Sequence, residues 1–136
     1  MATWKLGVVD PAEVDVVEVA GVYRDSGLGE RRPVRDVHRF TAMLRNANLL
    51  VTARLDERLV GFARSLTDGA YVTYLCDLAV VVEHQRKGIG RELVEVTRQA
   101  APTAKIVLLS APAAVDYYPH IGFVRHDSAW VLGPRD

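Results

Sequence analysis

Residues Tyr74 to Ala101 read YLCDLAVVVEHQRKGIGRELVEVTRQAA, an apolar strand joined to an amphipathic helix through a loop rich in glycine and positive charge. Leu78 to Val82 is continuously aliphatic, the pattern of a strand covered on both faces. Past Ile89, apolar residues return at Leu93, Val94, Val96 and Ala100, a spacing nearer the helical period than alternation. Within the loop, Glu83 to Gly90, the glycines Gly88 and Gly90 lack Cβ atoms, so a ligand can come close to the main chain. The first turn of a helix carries unpaired N–H groups and partial positive charge, which together favour a phosphate or diphosphate. Arg86, Lys87 and Arg91 add full charges at the same place. The stretch is an expected anion cradle for a nucleotide-type cofactor.

Two common cradles do not fit. No GxxxxGK[ST] loop is present, and GxGxxG fails because Leu93 stands where the third glycine belongs. What fits is Gln85-Arg86-Lys87-Gly88-Ile89-Gly90, a [Q/R]-x-x-G-x-[G/A] pattern with a buried strand before it and a helix opening Arg91-Glu92-Leu93 after it. Here the chain resembles the GNAT superfamily of N-acetyltransferases. The resemblance implies acetyl-CoA as cosubstrate. Main-chain groups of Leu78, Ala79, Val80 and Val82 would then pair with the pantetheine arm. The segment Gln85, Arg86, Lys87, Gly88, Ile89, Gly90 and Arg91 would hold the diphosphate.

Composition narrows the rest. With 136 residues, a hydrophobic fraction of 49% and charged residues at 25%, one globular domain over residues 1–136 is expected. Seventeen basic residues balance seventeen acidic ones, so no net charge points to nucleic acid or membrane as a partner. Cys76 has no disulfide partner in the chain, which fits a reducing, cytoplasmic setting. No apolar run reaches spanning length. His38, His84, His120 and His126 are scattered without metal-ligand spacing, so no metal is expected.

Taken in order, Lys5 to Val9 opens as a strand, and Asp10-Pro11-Ala12-Glu13 has the form of a helix start. That helix is expected to run to about Asp25, burying Val14, Val17 and Val22, with Tyr23 a further candidate. A second follows from Arg35 to Asn46, with Val37, Phe40, either Met43 or Leu44, and Ala47 near one face. Leu49 to Leu55 and Leu59 to Thr67 form a hairpin around Asp56-Glu57-Arg58. Asp68-Gly69 turns into the strand Tyr71 to Val82. Beyond Pro102, Ile106 to Leu109 is a buried strand, Ala113 to Tyr118 a short helix, and Phe123 to His126 with Ala129 to Leu132 a closing strand or hairpin. Trp4 and Trp130 are expected in the core. The order β-α-α-β-β-β-α-β-α-β predicts an α/β fold with a central mixed sheet and helices on both faces, the order that a GNAT-like fold also implies.

Ala113 to Phe123, AAVDYYPHIGF, resembles the superfamily's C-terminal motif A-x-x-F-Y-x-x-x-G-F, with Tyr118 at the tyrosine position and Gly122-Phe123 closing it. Pro119-His120 departs from the pattern, where Glu-Lys is common. By this resemblance Tyr118 is the general acid toward the departing thiolate. A phenol with pKa ~10 stays protonated at neutral pH, and a thiol has pKa ~8.5, so full transfer is uphill by roughly 2 kcal/mol and hydrogen bonding to the developing charge matters as much. Tyr117 is expected to pack beneath the sheet.

The incoming amine, with pKa ~10, must lose a proton at a cost of roughly 4 kcal/mol. Asp77, an acid inside an apolar strand, is a candidate base; its other reading is a carboxylate bound to neighbouring groups. Glu83, Tyr74 and water stay open beside it. Direct attack on the thioester, without an acyl-enzyme, leaves Cys76 dispensable. The expected partner is a small-molecule primary amine, with a homodimer a state the superfamily often adopts. Acids (Glu30, Asp36) and bases (Arg31, Arg32, Arg35) of the segment joining the first two helices leave the acceptor's class open among polyamines, arylalkylamines, antibiotics, amino acids and protein N-termini. The rival reading is a non-catalytic acyl-CoA-binding regulatory module.

Overall fold

The computed structural model describes residues 3–135. Its strands are β1 (Trp4–Val9), β2 (Leu49–Leu55), β3 (Arg58–Thr67), β4 (Val72–Val80) and β5 (Lys105–Val107). The helices are α1 (Val16–Ser26), α2 (Val37–Asn46) and α3 (Ile89–Ala100). The strands lie side by side in chain order, antiparallel up to the last pair, where β4 and β5 run parallel. This is the expected mixed α/β sheet.

Two neighbouring residues on β3 show that helices cover both faces. Successive strand side chains point to opposite faces. The Phe62 ring packs near Tyr23 of α1, with ring centroids 6.1 Å apart. A Cβ at Gly61 would stand 3.0 Å from both Ile89 and Leu93 of α3. Tyr23 also meets Phe40 of α2 edge to face at 5.1 Å. Strand β3, sandwiched between these layers, is buried along most of its length.

Several elements differ from the expectations, each for a local reason. The first helix is not continuous. Asp10 caps only a 3₁₀ turn at Pro11–Glu13, the chain extends at Val14, and Asp15 starts α1 by accepting from the amides of Val17 and Glu18. This second start turns Val17 outward, 76% exposed, and adds Val19 and Ala20 to the expected Val22 and Tyr23 in the core. Val37, in the first turn of α2, also faces solvent. The Asp68-Gly69 turn is a longer loop, because the Asp68 carboxylate accepts from the amides of Ala70, Tyr71 and Val72 and closes the chain four residues on. These bonds hold the Asp68 carboxyl below its ordinary pKa.

At the C-terminal end β5 is shorter than expected. The Ala113–Tyr118 helix is replaced by two 3₁₀ turns, Pro112–Ala114 and Tyr118–Ile121, with Pro119 in the first turn of the second. Residues 123–135 form no strand, and Trp130 is 93% exposed rather than in the core. Among the described residues no helix is long and apolar enough to cross a membrane.

Gly61 is the tightest point between sheet and helix. Gly61→Val should lower thermal stability by about 1–3 kcal/mol, because Ile89 and Leu93 must give way. An unchanged melting temperature in a thermal denaturation experiment would show that α3 does not pack there.

Candidate active site

The site begins where β4 and β5 part. Their parallel pairing covers only Val72 with Lys105, Thr73 with Ile106 and Tyr74 with Val107. Beyond Tyr74, β4 continues to Val80 with a partner on its β3 side alone.

Antiparallel pairing alternates which residues address the neighbouring strand. Val81 donates to the carbonyl of Val60, so Val81, Ala79 and Asp77 turn their main-chain groups toward β3, and Leu78 and Val80 turn theirs to the open side. Side chains confirm the parity: Arg32 donates to the carbonyl of Cys76 at 3.1 Å and Gln85 to that of Val80 at 2.8 Å. Leu78 and Val80 therefore turn their main-chain groups to the open edge. Ala79 is a correction: its polar groups belong to the ladder with Phe62. Val82 is another. It has left the strand for a 3₁₀ turn and is 69% exposed, so it does not prolong the edge.

The glycine loop closes one end of this opening. Gly88 is the residue before α3, left-handed at φ 93°, a conformation that suits glycine. Unlike α1 and α2, whose first amides bond to Asp15 and Asp36, α3 has no side-chain cap. Its first internal bond runs from Glu92 to the Gly88 carbonyl, which leaves the amides of Ile89, Gly90 and Arg91 without helical partners. Arg86, also at positive φ (65°), Lys87 and Arg91 are exposed around them. Ile89 contributes only its main chain there, since its side chain is buried against the sheet. Gln85 ties the loop to the end of β4.

Tyr118 lines a cleft beside this edge with Leu28, Arg32, Cys76, Leu78 and Leu108. Burial, aided by neighbouring Tyr117, raises its phenol above the ordinary value, with Arg32 opposing. The group is a firmly protonated donor. Tyr117 and Phe123 clamp it edge to face at 5.3 and 5.4 Å. Tyr117 is not beneath the sheet. Its hydroxyl lies over Gly90, where a Cβ would come within 2.8 Å of it.

Asp77 lies beneath the cleft, 2% exposed. Its Oδ1 accepts from Nε of Arg32 at 2.5 Å, and its Oδ2 accepts from Nε of Arg64 at 2.5 Å and from the Tyr23 hydroxyl at 2.6 Å. Burial pushes its pKa up, but hydrogen bonds and charge from Arg64, then bonds from Tyr23 and Arg32, outweigh this and hold it below the ordinary value. A carboxylate so enclosed is a poor proton acceptor, which corrects its candidacy as base and matches its other reading. Glu83 pairs at the surface with Arg58 at 2.5 Å, and Tyr74 and Cys76 are part-exposed. The Cys76 thiol is pushed up by burial, away from the reactive thiolate. Arg32, Arg64 and Tyr23 carry this cluster and were not singled out as site residues from sequence. A charge inside the buried strand at Arg64 was the available signal.

A family model described as an acetyltransferase (GNAT) domain matches residues 17–131. An uncharacterized N-acetyltransferase of Pyropia yezoensis is 26% identical over 103 residues, 70% of this chain and 57% of that protein. The chloroplastic GCN5-related N-acetyltransferase 2 of Arabidopsis thaliana is 25% identical over 134 residues, 82% of this chain and 50% of that one. The chain thus spans about half the length of the curated relatives it matches. Among solved structures, a GNAT family acetyltransferase from Streptococcus pneumoniae superposes with TM-score 0.77 at 19% identity, covering 98% of each chain. An aminoglycoside N-acetyltransferase in complex with CoA gives 0.71 at 13% identity, covering 100% of this chain and 97% of that one. These likenesses establish the fold.

Removing the Asp77 charge should cost about 3 kcal/mol in Asp77→Asn, because two part-buried guanidiniums lose their buried counter-ion. The sign with pH follows from the lowered folded-state pKa. The contribution is complete above the unfolded value and is lost as pH falls through the lower folded one. In melting curves of both proteins from neutral to about pH 3 the gap should narrow toward the acid end. A constant gap would contradict the assignment.

Proposed function

The chain belongs to the GNAT acetyltransferase family, and from that premise we propose that it moves an acetyl group from acetyl-CoA to a primary amine. The observation that carries the reading is the open edge of β4 at Leu78 and Val80, continuous with the uncapped first turn of α3. An extended amide-bearing arm fits the first, and a diphosphate fits the second. When bound, the cofactor supplies an acyl carbon activated as a thioester.

The protein's own groups have separate tasks. The amides of Ile89, Gly90 and Arg91, with the charges of Arg86, Lys87 and Arg91, hold the anionic end. Leu78 and Val80 align the arm. Tyr118 holds a proton on its phenol at the cleft wall and directs it at the sulfur. Among the described residues none that lines the cleft is a carboxylate, and we assign the amine's proton to water. The rival, a binding module without turnover, has that lack of a carboxylate base in its favour.

Release of free thiol from acetyl-CoA, followed over a panel of amines, separates the two. For an enzyme, Tyr118→Phe should lower kcat about a hundredfold or more with acetyl-CoA affinity unchanged. Undiminished turnover would remove Tyr118 from the chemistry, and absence of release with every amine would favour the binding module. Gly88→Val, forced into a left-handed conformation that a β-branched residue resists, should weaken acetyl-CoA binding in calorimetric titration. Unchanged affinity would count against the loop as the diphosphate site.

A further inference from the structure

Resting on the reading of this cleft as the acyl-transfer site, we infer that its acceptor is a primary amine that carries a carboxylate on an apolar body. The segment joining α1 to α2 contains Glu30, Arg31, Arg32, Arg35 and Asp36. The fold sorts them by charge. Asp36 is occupied as the cap of α2, accepting from the Arg39 amide at 3.1 Å. Neither Asp36, Glu30 nor Arg35 lines the cleft, whereas Arg31 and Arg32 both do, and among the described residues no acidic one joins them.

The one carboxylate beneath, Asp77, lies between Arg32 and Arg64. One acid against two guanidiniums leaves the cluster with an uncompensated positive charge. Arg31 adds another, and among the described residues it takes part in no ion pair. Arg32 is fixed in place: Nε donates to Asp77 at 2.5 Å, Nη1 to the Arg31 carbonyl at 2.9 Å and Nη2 to the Cys76 carbonyl at 3.1 Å. A guanidinium has five N–H donors, so two of Arg32's remain for a ligand. An anion is attracted to this floor and a polycation is repelled from it. The walls beside the arginines are Leu28, Leu75, Leu108 and Leu109, which suit an apolar body and not a polyhydroxylated one.

The reaction forms a nitrogen–carbon bond as the thioester carbon–sulfur bond breaks; the bonding pair leaves on the sulfur, which takes the Tyr118 phenol proton, and the amine's proton passes to water, from which the phenol is restored. A carboxylate preference runs against intrinsic reactivity, because the amine of an amino-acid amide is less basic and more readily deprotonated. Selectivity for the acid therefore reports the site rather than the nucleophile.

The test is thiol release by the full chain with acetyl-CoA and matched acceptors. These are L-phenylalanine, L-leucine and glycyl-leucine, each beside its carboxamide, together with spermidine and kanamycin. Wild type should favour at least one acid over its amide and over both polycations by roughly tenfold or more in kcat/KM. Arg31→Glu, an exchange at an exposed position outside the core, should raise KM for that acid about tenfold, leave KM for acetyl-CoA unmoved and erase the preference over the amide. Preference for an amide or a polycation, or a change in KM for acetyl-CoA alone, overturns the inference while the acyl-transfer reading stands. Thiol release with none of the eight amines overturns both.

Discussion

A strand that loses its neighbour halfway along must find other partners for its main chain, and β4 is such a strand. Three residue pairs join it to β5, and then the two part. Unpaired N–H and C=O groups in a half-buried place are costly unless something bonds to them. The protein answers with side chains at two points, Arg32 at the carbonyl of Cys76 and Gln85 at that of Val80. Leu78 lies between these points, on the same open side. The gap is therefore shaped from both ends, by the segment joining α1 to α2 and by the loop before α3. Its middle is a stretch of backbone that an amide-bearing ligand can complete.

The buried charges serve this geometry. Asp77 faces α1 and meets Tyr23 there, while Arg32 reaches it from the connecting segment and Arg64 from β3. One carboxylate thus pins three elements around the cleft and is too fully bonded to take a proton. Its position in an apolar strand drew attention to it as a base. The structure assigns it to positioning, with Arg32 as the group that it presents to the cleft. Burial that raises the Tyr118 phenol and bonds that lower the Asp77 carboxyl push the two groups in opposite directions, one toward donating from a neutral form and one toward permanent charge.

Features carried by local chemistry were legible in the residues alone. The glycine loop, the start of α3, the hairpin of β2 and β3 and the mixed sheet follow from spacing, glycine and hydrophobic pattern. What depended on tertiary register was not legible. A two-residue turn at Asp68-Gly69 would set Asp77 opposite Val60; the longer loop held by the Asp68 carboxylate, with an irregularity between Arg64 and Ser65, sets it opposite Arg64 instead. Arg32 lies 45 positions from Asp77 in sequence, so no local pattern joins them. Ala79 and Leu78 are equally apolar, and only pairing with β3 decides which of them offers its amide to the gap. Asp15, a second cap so soon after Asp10, rotated α1 enough to exchange Val17 for Val19 in the core. The exposed tail from Val124 to Leu132 has the apolar content of a strand, and a strand was expected there; it pairs with none of the five.

Residue-resolved amide hydrogen exchange, with and without acetyl-CoA, tests the open edge most directly. The amides of Leu78 and Val80 and of Ile89 to Arg91 should slow on binding, while those of Ala79 and Val81, already held by β3, should not change. Protection confined to Ala79 and Val81, or arising in other elements with Leu78 and Val80 unaffected, would contradict the account.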